Sequence, residues 1–254
     1  MASHAPHVRL FVEAPLTASS SELVVGGARA HYLTNVMRLR VGDRVDLFNG
    51  KDGEWAARVI RCDRRDCTLE LQSQIAPQTA EPGPWLAFAM VKRSRLDLII
   101  EKATELGVER LLPVITRRTV TAAPNPARLQ AIAIEAAEQC RRVSLPRVEA
   151  PAELAHLLRD WSPNRPLLLT TPGFGAAPIA DICRRRLPVA PGVLIGPEGG
   201  FEPSELDELL TLPFVVAVSL GPLVLRAETA AIAALACIQA YAGTWANPAS
   251  EGVD

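Results

Sequence analysis

Two glycine-containing loops near the carboxyl end of the chain have the clearest potential for chemistry. Gly196–Gly200 (GPEGG) follows the apolar run Val193–Ile195, and Ser219–Leu225 (SLGPLVL) follows the apolar run Val215–Val218. Each run is typical of a buried parallel strand that ends in a glycine turn. Because parallel strands end at the same edge of a sheet, we expect the two loops to meet where open α/β sheets bind small ligands.

A third loop is predicted at the same edge, where Leu167–Thr170 leads into Thr171-Pro172-Gly173. Glycine lets the backbone approach a ligand closely, and free N–H and C=O groups can bind an adenine edge or a carboxylate. One such loop alone would be an ordinary turn, whereas three together favour a ligand site. The candidate ligand contacts are Thr170, Thr171, Pro172, Ile195, Gly196, Pro197, Glu198, Gly199, Gly200, Ser219, Leu220, Gly221, Leu225 and Thr229.

A phosphate-binding loop is the competing interpretation of a glycine-rich turn before a helix. It is disfavoured because neither Lys nor Ser/Thr follows the glycines at the spacing of a Walker motif. Glu198 would also direct a negative charge at the phosphates. A cationic ligand tolerates that carboxylate, and Glu198 can equally serve to position the amides of its own loop.

The two loops together resemble a known family. Leu194–Gly200 reads LIGPEGG and Leu220–Thr229 reads LGPLVLRAET. These motifs resemble the RsmE-like family of SPOUT-class RNA methyltransferases, which typically shows LIGPEGG and LG-x-R-I-L-R-x-ET. Leu223 stands where that family usually has arginine. Three further stretches are similar to the family, namely Glu101–Val108 (EKATELGV), Glu135–Arg141 (EAAEQCR) and His31–Gly50 (HYLTNVMRLRVGDRVDLFNG).

This resemblance implies a function. The ligand of the three loops would be S-adenosylmethionine, and the reaction would methylate N3 of a uridine in 16S ribosomal RNA. The partner would be 16S rRNA or the small ribosomal subunit. A non-catalytic RNA-binding or ribosome-assembly protein with the same fold is the alternative. Leu223 favours that alternative, while the intact GPEGG and LRAET motifs favour the enzyme.

Arg226 and Glu228 are the candidate catalytic residues, since they open the last predicted helix beside the second loop. Uridine N3 is protonated at neutral pH and must lose its proton before it can accept a methyl group. A guanidinium near the uracil carbonyls would favour the anion, and a carboxylate could accept the proton. The alternative is that Arg226 is an anchor, paired with Glu228 or with a helix end.

The elements that position these residues alternate between strands and helices from Trp85 onward, which predicts an α/β fold with a parallel sheet. Strands are expected at Leu86–Val91 and Leu111–Ile115, with one helix capped by Ser94 and another that begins at Pro126. The resemblance implies a SPOUT-type sheet with a carboxyl-terminal trefoil knot. Residues 85–243 would form this methyltransferase domain, and residues 244–254 would be a disordered tail.

The amino-terminal part is predicted to be a small β domain over residues 1–73, followed by a Pro-rich linker at 74–84. Short strands are interrupted by one helical segment, Arg29–Met37, and Asn49-Gly50 with Asp52-Gly53 indicates a hairpin. A small β-barrel of the PUA or OB kind fits this pattern. The resemblance implies the PUA-like, RNA-binding kind.

Charge alone gives no support to nucleic-acid binding, since the net charge is −1. The basic residues are nevertheless mostly Arg, which suits bidentate phosphate contacts, although a GC-rich coding bias would give the same preference. The RNA-binding candidates are Arg9, Arg38, Arg40, Lys92, Arg93, Arg117, Arg141 and Arg142, and Arg95 and Arg118 belong to the same basic set. As a set they could line an RNA path, whereas any one of them alone could be a solvated surface charge.

Metal, disulfide and membrane chemistry are not expected. The five cysteines contain no C-x-x-C pair, and their odd number argues against a disulfide framework. Cys62-x4-Cys67 has no second pair that would complete a zinc site. The four histidines do not have the spacing of catalytic or metal-binding residues, and none is assigned to catalysis (His4, His7, His31 and His156). No apolar signal segment begins the chain, and we expect a cytoplasmic protein.

The last predicted helix, Thr229–Ala242, is apolar nearly all round and must be buried on several sides. It lies either in the core of the domain or at the interface of a dimer. The resemblance favours the interface, with Leu235 and Ile238 in the contact, and therefore a homodimer.

Overall fold

A computed structural model of the chain describes residues 8–18, 22–63, 65–79, 82–119, 124–171, 175–185 and 189–246. The chain divides into two compact units. The first comprises Met1–Ala80 with Ala137–Leu145, and the second comprises Glu81–Ala136 with Pro146–Asp254. The proposed domain boundaries stay a prediction, and residues 247–254 of the predicted tail lie outside the described residues.

The described part of the first unit contains a five-stranded sheet. Its strands are β1 (Val8–Phe11), β2 (Glu22–Gly26), β3 (Arg44–Phe48), β4 (Glu54–Cys62) and β5 (Asp66–Ala76). Their order is β1-β3-β4-β5-β2, with β1 parallel to β3 and the other pairs antiparallel. The hairpin predicted from Asn49-Gly50 and Asp52-Gly53 joins β3 to β4, and both glycines have positive φ angles. Strand β2 was not predicted, although the Gly26-Gly27 pair at its end is a turn signal.

The helical segment of the first unit begins at Gly27 and changes its hydrogen bonding halfway. Helix α1 (Gly27–His31) continues into a π-helical segment, Tyr32–Val36. The Met37 N–H donates to the Tyr32 carbonyl at 2.9 Å, which is the wider spacing of a π-turn. The helix predicted at Arg29–Met37 is thus in the right place, but its second half is not α-helical.

Arg9 holds Ala137–Leu145 within the first unit. Its guanidinium donates to the carbonyls of Ala137 and Arg142, is ion-paired with Glu54, and lies 3.9 Å from the centre of the Phe48 ring. Arg9 is only 6% exposed and Arg142 only 8%, and Arg142 Nε donates to Ser144 at 2.8 Å. Both arginines were predicted to contact RNA. Because their side chains are buried, they have no free face for a phosphate and are structural residues.

Cys62 and Cys67 form a disulfide, contrary to the expectation from the sequence. Cys62 ends β4, Cys67 is the second residue of β5, and the antiparallel register places the two opposite each other. An odd number of cysteines excludes full pairing but does not exclude one hairpin bridge. Cys140, Cys183 and Cys237 remain free.

The second unit is built on a parallel sheet, as predicted. Its strands are β6 (Trp85–Ala89), β7 (Arg110–Ile115), β8 (Arg147–Val148), β9 (Ala152–Glu153), β10 (Leu167–Thr170), β11 (Ala177–Pro178), β12 (Gly192–Ile195) and β13 (Val215–Ser219). Their order is β11-β13-β10-β12-β6-β7-β8, with β9 also paired to β7. Every described ladder of this sheet is parallel. The sequence analysis missed the two-residue strands β8, β9 and β11, which are too short to show a period.

Helices cover both faces of this sheet. They are α2 (Arg93–Glu105), α3 (Pro126–Cys140), α4 (Leu154–Arg159), α5 (Ile179–Cys183), α6 (Pro203–Thr211) and α7 (Ala227–Ala242). Alternate residues of each central strand enter different cores, as Val193 and Leu194 do in β12. Both sides are therefore apolar, which explains the continuous hydrophobic runs. The predicted cap at Ser94 is wrong, because Lys92 occupies the N-cap position without a side-chain hydrogen bond.

Helix α7 lies in the core of the second unit. Leu235 is 0% exposed and Ile238 is 1% exposed, and both pack in the core cluster that includes residues of α2 and α5. The two residues assigned to a dimer contact therefore belong to the interior of one chain. Only the opposite face of α7, with Ile232 and Ala236, is partly accessible. Among the described helices, none combines the length and hydrophobicity needed to cross a membrane.

We expect Leu235→Ala to lower the free energy of unfolding by about 2–5 kcal/mol, because it leaves a cavity in the core. Leu223→Ala is the matched control: Leu223 is 75% exposed, and the same substitution there should change stability by less than about 0.5 kcal/mol. Urea unfolding followed by circular dichroism measures both values. Equal effects of the two substitutions would contradict the placement of α7 in the core.

Candidate ligand and catalytic site

The three predicted loops begin at one edge of the parallel sheet. Strand β10 pairs with both β12 and β13, so that Leu169 lies beside Leu194 on one side and Ala217 on the other. The chain leaves these strands at Thr170, Ile195 and Ser219, which are the last residues of neighbouring parallel strands. Thr170 and Thr171 are half-buried, whereas Pro172 lies outside the described residues.

The loop after β12 has a packed beginning and an open end. A Cβ on Gly196 would lie 2.7 Å from the Phe201 ring, so only glycine fits at this position. Pro197 is buried and accepts a hydrogen bond at 2.8 Å from the N–H of Gly200, whose φ is +69°. A Cβ on Gly199 would meet nothing within 4 Å, so the outer surface of this loop is free to receive a ligand.

The loop after β13 is formed by a side-chain turn. The N–H of Gly221 donates to Ser219 Oγ at 3.2 Å, and Gly221 has a φ of +110° that L side chains rarely adopt. Leu220 and Leu225 pack against the core, which fixes both ends of the loop. Between them Leu223 and Val224 are 75% and 83% exposed.

Arg117 and Arg118, directly after β7, hold the loop that follows β12 and the helix α6 behind it. Arg118 Nη1 donates to the carbonyl of Gly199 at 3.0 Å, and its Nε lies 3.5 Å from Glu202 Oε2. The backbone N–H of Arg117 donates to Glu205 Oε1 at 3.2 Å. The Arg117 side chain binds Ser204 and Glu208 on α6. Arg117 was predicted to contact RNA; its described contacts are with α6, and the RNA contact stays a prediction.

The two candidate catalytic residues have different surroundings. Arg226 is exposed at the N-cap position of α7, where its carbonyl accepts a hydrogen bond from the N–H of Ala230 at 2.8 Å. Its side chain makes no hydrogen bond or ion pair with the described part of the chain. Glu228, two residues further on, is buried at 9% exposure. Its partner is Arg95, whose Nε lies 3.6 Å from Glu228 Oε1, so the alternative pairing of Arg226 with Glu228 is not formed.

Arg95 was predicted only as one of a set of basic residues, but the structure gives it two contacts at the candidate site. It lies in the first turn of α2 and is ion-paired with Glu198 of the GPEGG loop as well as with Glu228. One guanidinium thus joins two of the ligand-site elements. The sequence places Arg95 after a strand but offers no motif that would distinguish it from its basic neighbours.

The other RNA-binding candidates are surface residues. Lys92 and Arg93 are exposed at the start of α2, on the same edge of the sheet as the three loops. In the first unit Arg38, Arg40 and Arg141 are exposed, and Arg38 and Arg141 have left-handed φ angles of 57° and 62°. These five cations have accessible charges that can bind phosphate.

The two cysteines of the second unit's core are not activated as nucleophiles. Burial raises the pKa of the Cys183 thiol to about 11 and also raises that of Cys237, so neither is a thiolate nucleophile at neutral pH. Among the described residues, no cluster of His, Cys, Asp or Glu could hold a metal ion.

The family model of the RNA methyltransferase domain matches residues 81–239, and that of the RNA methyltransferase PUA domain matches residues 25–72. The ribosomal RNA small subunit methyltransferase E of Rickettsia conorii is 32% identical over 234 residues, which cover 91% of this chain and 94% of the relative. The Synechocystis protein of the same name is 34% identical over 235 residues, covering 90% and 76% of the two chains.

A solved structure has the same architecture. The ribosomal RNA small subunit methyltransferase E of Neisseria gonorrhoeae, bound to S-adenosyl methionine, matches with a TM-score of 0.83 and 27% identity, over 92% of this chain and 97% of that one. The matched family models and relatives extend over both units and include the three loops of the site. The chain therefore belongs to the RsmE-like family of RNA methyltransferases.

Proposed function

We propose that this protein methylates N3 of a uridine in the 16S rRNA of the small ribosomal subunit, with S-adenosylmethionine as the methyl donor. The observation that carries the proposal is that the neighbouring parallel strands β10, β12 and β13 end at one sheet edge, and that the loop after β13 leads to Arg226. The Arg226 side chain is exposed and has no partner among the described residues. An rRNA substrate fits the expectation of a cytoplasmic protein.

The residues at this edge fit the methyl donor. At Gly199 and at Gly221 an added Cβ would meet nothing within 4 Å, so both loops leave room for a ligand with an adenine and a carboxylate beside their backbone. Half-buried Leu220 and Leu225 provide an apolar floor. When bound, the donor supplies an electrophilic methyl group on a positively charged sulfur. The carboxylate of Glu198 is compatible with that charge, whereas it would repel a nucleotide phosphate.

Arg226 is the residue that we assign to the reacting base. Its guanidinium extends from the start of α7 without a competing carboxylate, so it can bind the uracil carbonyls and favour the anion formed when N3 loses its proton. The loops contribute by holding the donor and the base in line, because alignment alone lowers the barrier substantially.

Glu228 has a different role from the one expected. Its burial and its pairing with Arg95 enclose the carboxylate, so it would have to be uncovered before it could take a proton from the substrate. We assign it to positioning, and the proton of N3 then passes to solvent.

RNA binding is assigned to the exposed cations on each unit. Lys92 and Arg93 would bind phosphates beside the three loops, and Arg38, Arg40 and Arg141 would do so on the first unit. The non-catalytic alternative is favoured only by Leu223. This side chain is exposed at a loop tip and is not part of the core contacts of Leu220 and Leu225 that fix the two ends of the loop.

The finer features of the fold are also proposals. The chain runs from β12 through β13, on the far side of β10, and then returns as α7, which packs against β12 and β6. This return path supports the trefoil knot of the SPOUT class. The five-stranded sheet of the first unit supports a PUA-like barrel, and the accessible face of α7 supports a homodimer.

Gly199→Val should weaken S-adenosylmethionine binding by at least tenfold, because its side chain fills the space that the ligand needs. Since a Cβ there meets nothing in the protein, the variant should fold normally, and Gly199→Ala should have a smaller effect. Calorimetry measures the affinities, and thermal unfolding controls for folding. Wild-type affinity in a folded Gly199→Val protein would refute this ligand position.

Arg226→Ala should move the pH dependence of single-turnover methylation to higher pH and lower its plateau. The reaction consumes the deprotonated base, so its rate rises until N3 titrates, and loss of the guanidinium raises that pKa. Arg226→Lys should restore only part of the wild-type rate and pH dependence, because lysine lacks the planar set of hydrogen-bond donors of a guanidinium. Arg93→Ala, as control, should weaken RNA binding without moving the profile. If Arg226→Ala behaves like Arg93→Ala, the residue is a phosphate anchor.

The protein should be a dimer at micromolar concentration by light scattering. Ala236→Arg, on the partly accessible face of α7, should raise the dimer dissociation constant by at least tenfold because it places a charge in an apolar contact. Leu223→Arg is the control, because it adds the same charge at an exposed loop position instead of on α7. A monomeric wild-type protein would contradict the dimer.

A further inference from the structure

Three charged side chains meet at the ligand edge of the second unit. Arg95 Nη1 is ion-paired with Glu198 Oε1, and Arg95 Nε lies 3.6 Å from Glu228 Oε1. Arg95 is partly covered, Glu198 is exposed on the GPEGG loop, and Glu228 is buried in the first turn of α7. These three residues are called the Glu–Arg–Glu cluster below.

Glu228 is the fixed end of this cluster. Its Oε2 is buried and makes no hydrogen bond with the described part of the chain, so the carboxylate depends on Arg95 for most of its compensation. The amino-terminal turn of α7 adds a favourable dipole. Leaving a buried carboxylate without a partner is costly. Glu228 therefore holds the Arg95 guanidinium in place, and Arg95 in turn holds Glu198.

The cluster carries an excess of negative charge, because two carboxylates share one guanidinium. This charge lies at the GPEGG loop, next to the open surface of Gly199. The neighbouring cations are either compensated, as Arg118 is by Glu202 at 3.5 Å, or exposed to solvent, as Lys92, Arg93 and Arg226 are.

We propose that the Glu–Arg–Glu cluster makes the site prefer the cationic methyl donor over the neutral demethylated product, with Arg95 as the positioning residue. The inference rests on the proposed function, which places S-adenosylmethionine at these loops. The donor and S-adenosylhomocysteine differ by one methyl group and by one positive charge on sulfur. A nearby negative charge stabilises the bound donor but not bound S-adenosylhomocysteine, so it also favours release of the product.

The test is the ratio of two dissociation constants, that of S-adenosylhomocysteine divided by that of S-adenosylmethionine, measured by calorimetry at low ionic strength. Glu198→Gln removes one negative charge and should lower the ratio by about threefold. Arg95→Met removes the cation and should raise the ratio by a similar factor. Arg95→Lys keeps the charge and should leave the ratio near its wild-type value. Raising the salt concentration should shrink these differences.

Glu105→Gln is the matched control, because it makes the same charge change at the far end of α2, about 15 Å along the helix from Arg95. It should leave the ratio unchanged. If Arg95→Met does not fold, Glu198→Gln still decides the question, since Glu198 is exposed and its substitution leaves Arg95 paired with Glu228.

A ratio that stays constant in Glu198→Gln would overturn the proposal. So would an equal weakening of both ligands in the cluster variants, since that result is expected if the cluster only supports the loop. Absence of binding of either ligand to the wild-type protein would instead overturn the proposed function, and the inference with it.

Discussion

The parallel pairing of β10 with both β12 and β13 is the constraint on which the rest of this protein depends. Each of these strands ends in a loop, and the register brings the three ends together. A glycine turn that stood alone would not form a ligand site. Arranged on one edge, they form a surface that is open at Gly199 and held in place below it by the contacts of Gly196 with Phe201 and of Leu220 and Leu225 with the core. The apolar strands thus supply rigidity, and the loops supply chemistry.

Charged residues then hold this edge in its shape. Arg118 binds the carbonyl of Gly199, Arg117 binds the start of α6, and Arg95 joins the GPEGG loop to α7. Three arginines from the ends of β6 and β7 therefore support loops that lie far from them in the sequence. Arg226 is different, because its side chain has no partner in the described part of the chain. The first three arginines therefore stabilise the site, whereas the guanidinium of Arg226 is free to contact a substrate.

Much of this arrangement could be predicted from the sequence, because it follows local rules. The apolar runs predicted β10, β12 and β13 nearly to the residue, and Pro126 marked the first residue of α3. The two glycine motifs indicated the family. What was missed depends on contacts between distant residues. Arg9 looks like any other surface arginine until its contact with Ala137 is seen, and the Cys62–Cys67 bridge requires the hairpin register. The role of Arg95 likewise follows from two partners more than 100 residues away in the chain.

The central claim is that this edge methylates N3 of a uridine, and the most direct measurement is mass spectrometric mapping of modified nucleotides in small-subunit rRNA. RNA from cells with the gene should contain one 3-methyluridine that is absent when the gene is deleted. The purified protein should restore that modification when it is supplied with S-adenosylmethionine. A modification map that does not change on deletion, or a lost methyl group located on C5 or on a ribose oxygen, would contradict the account.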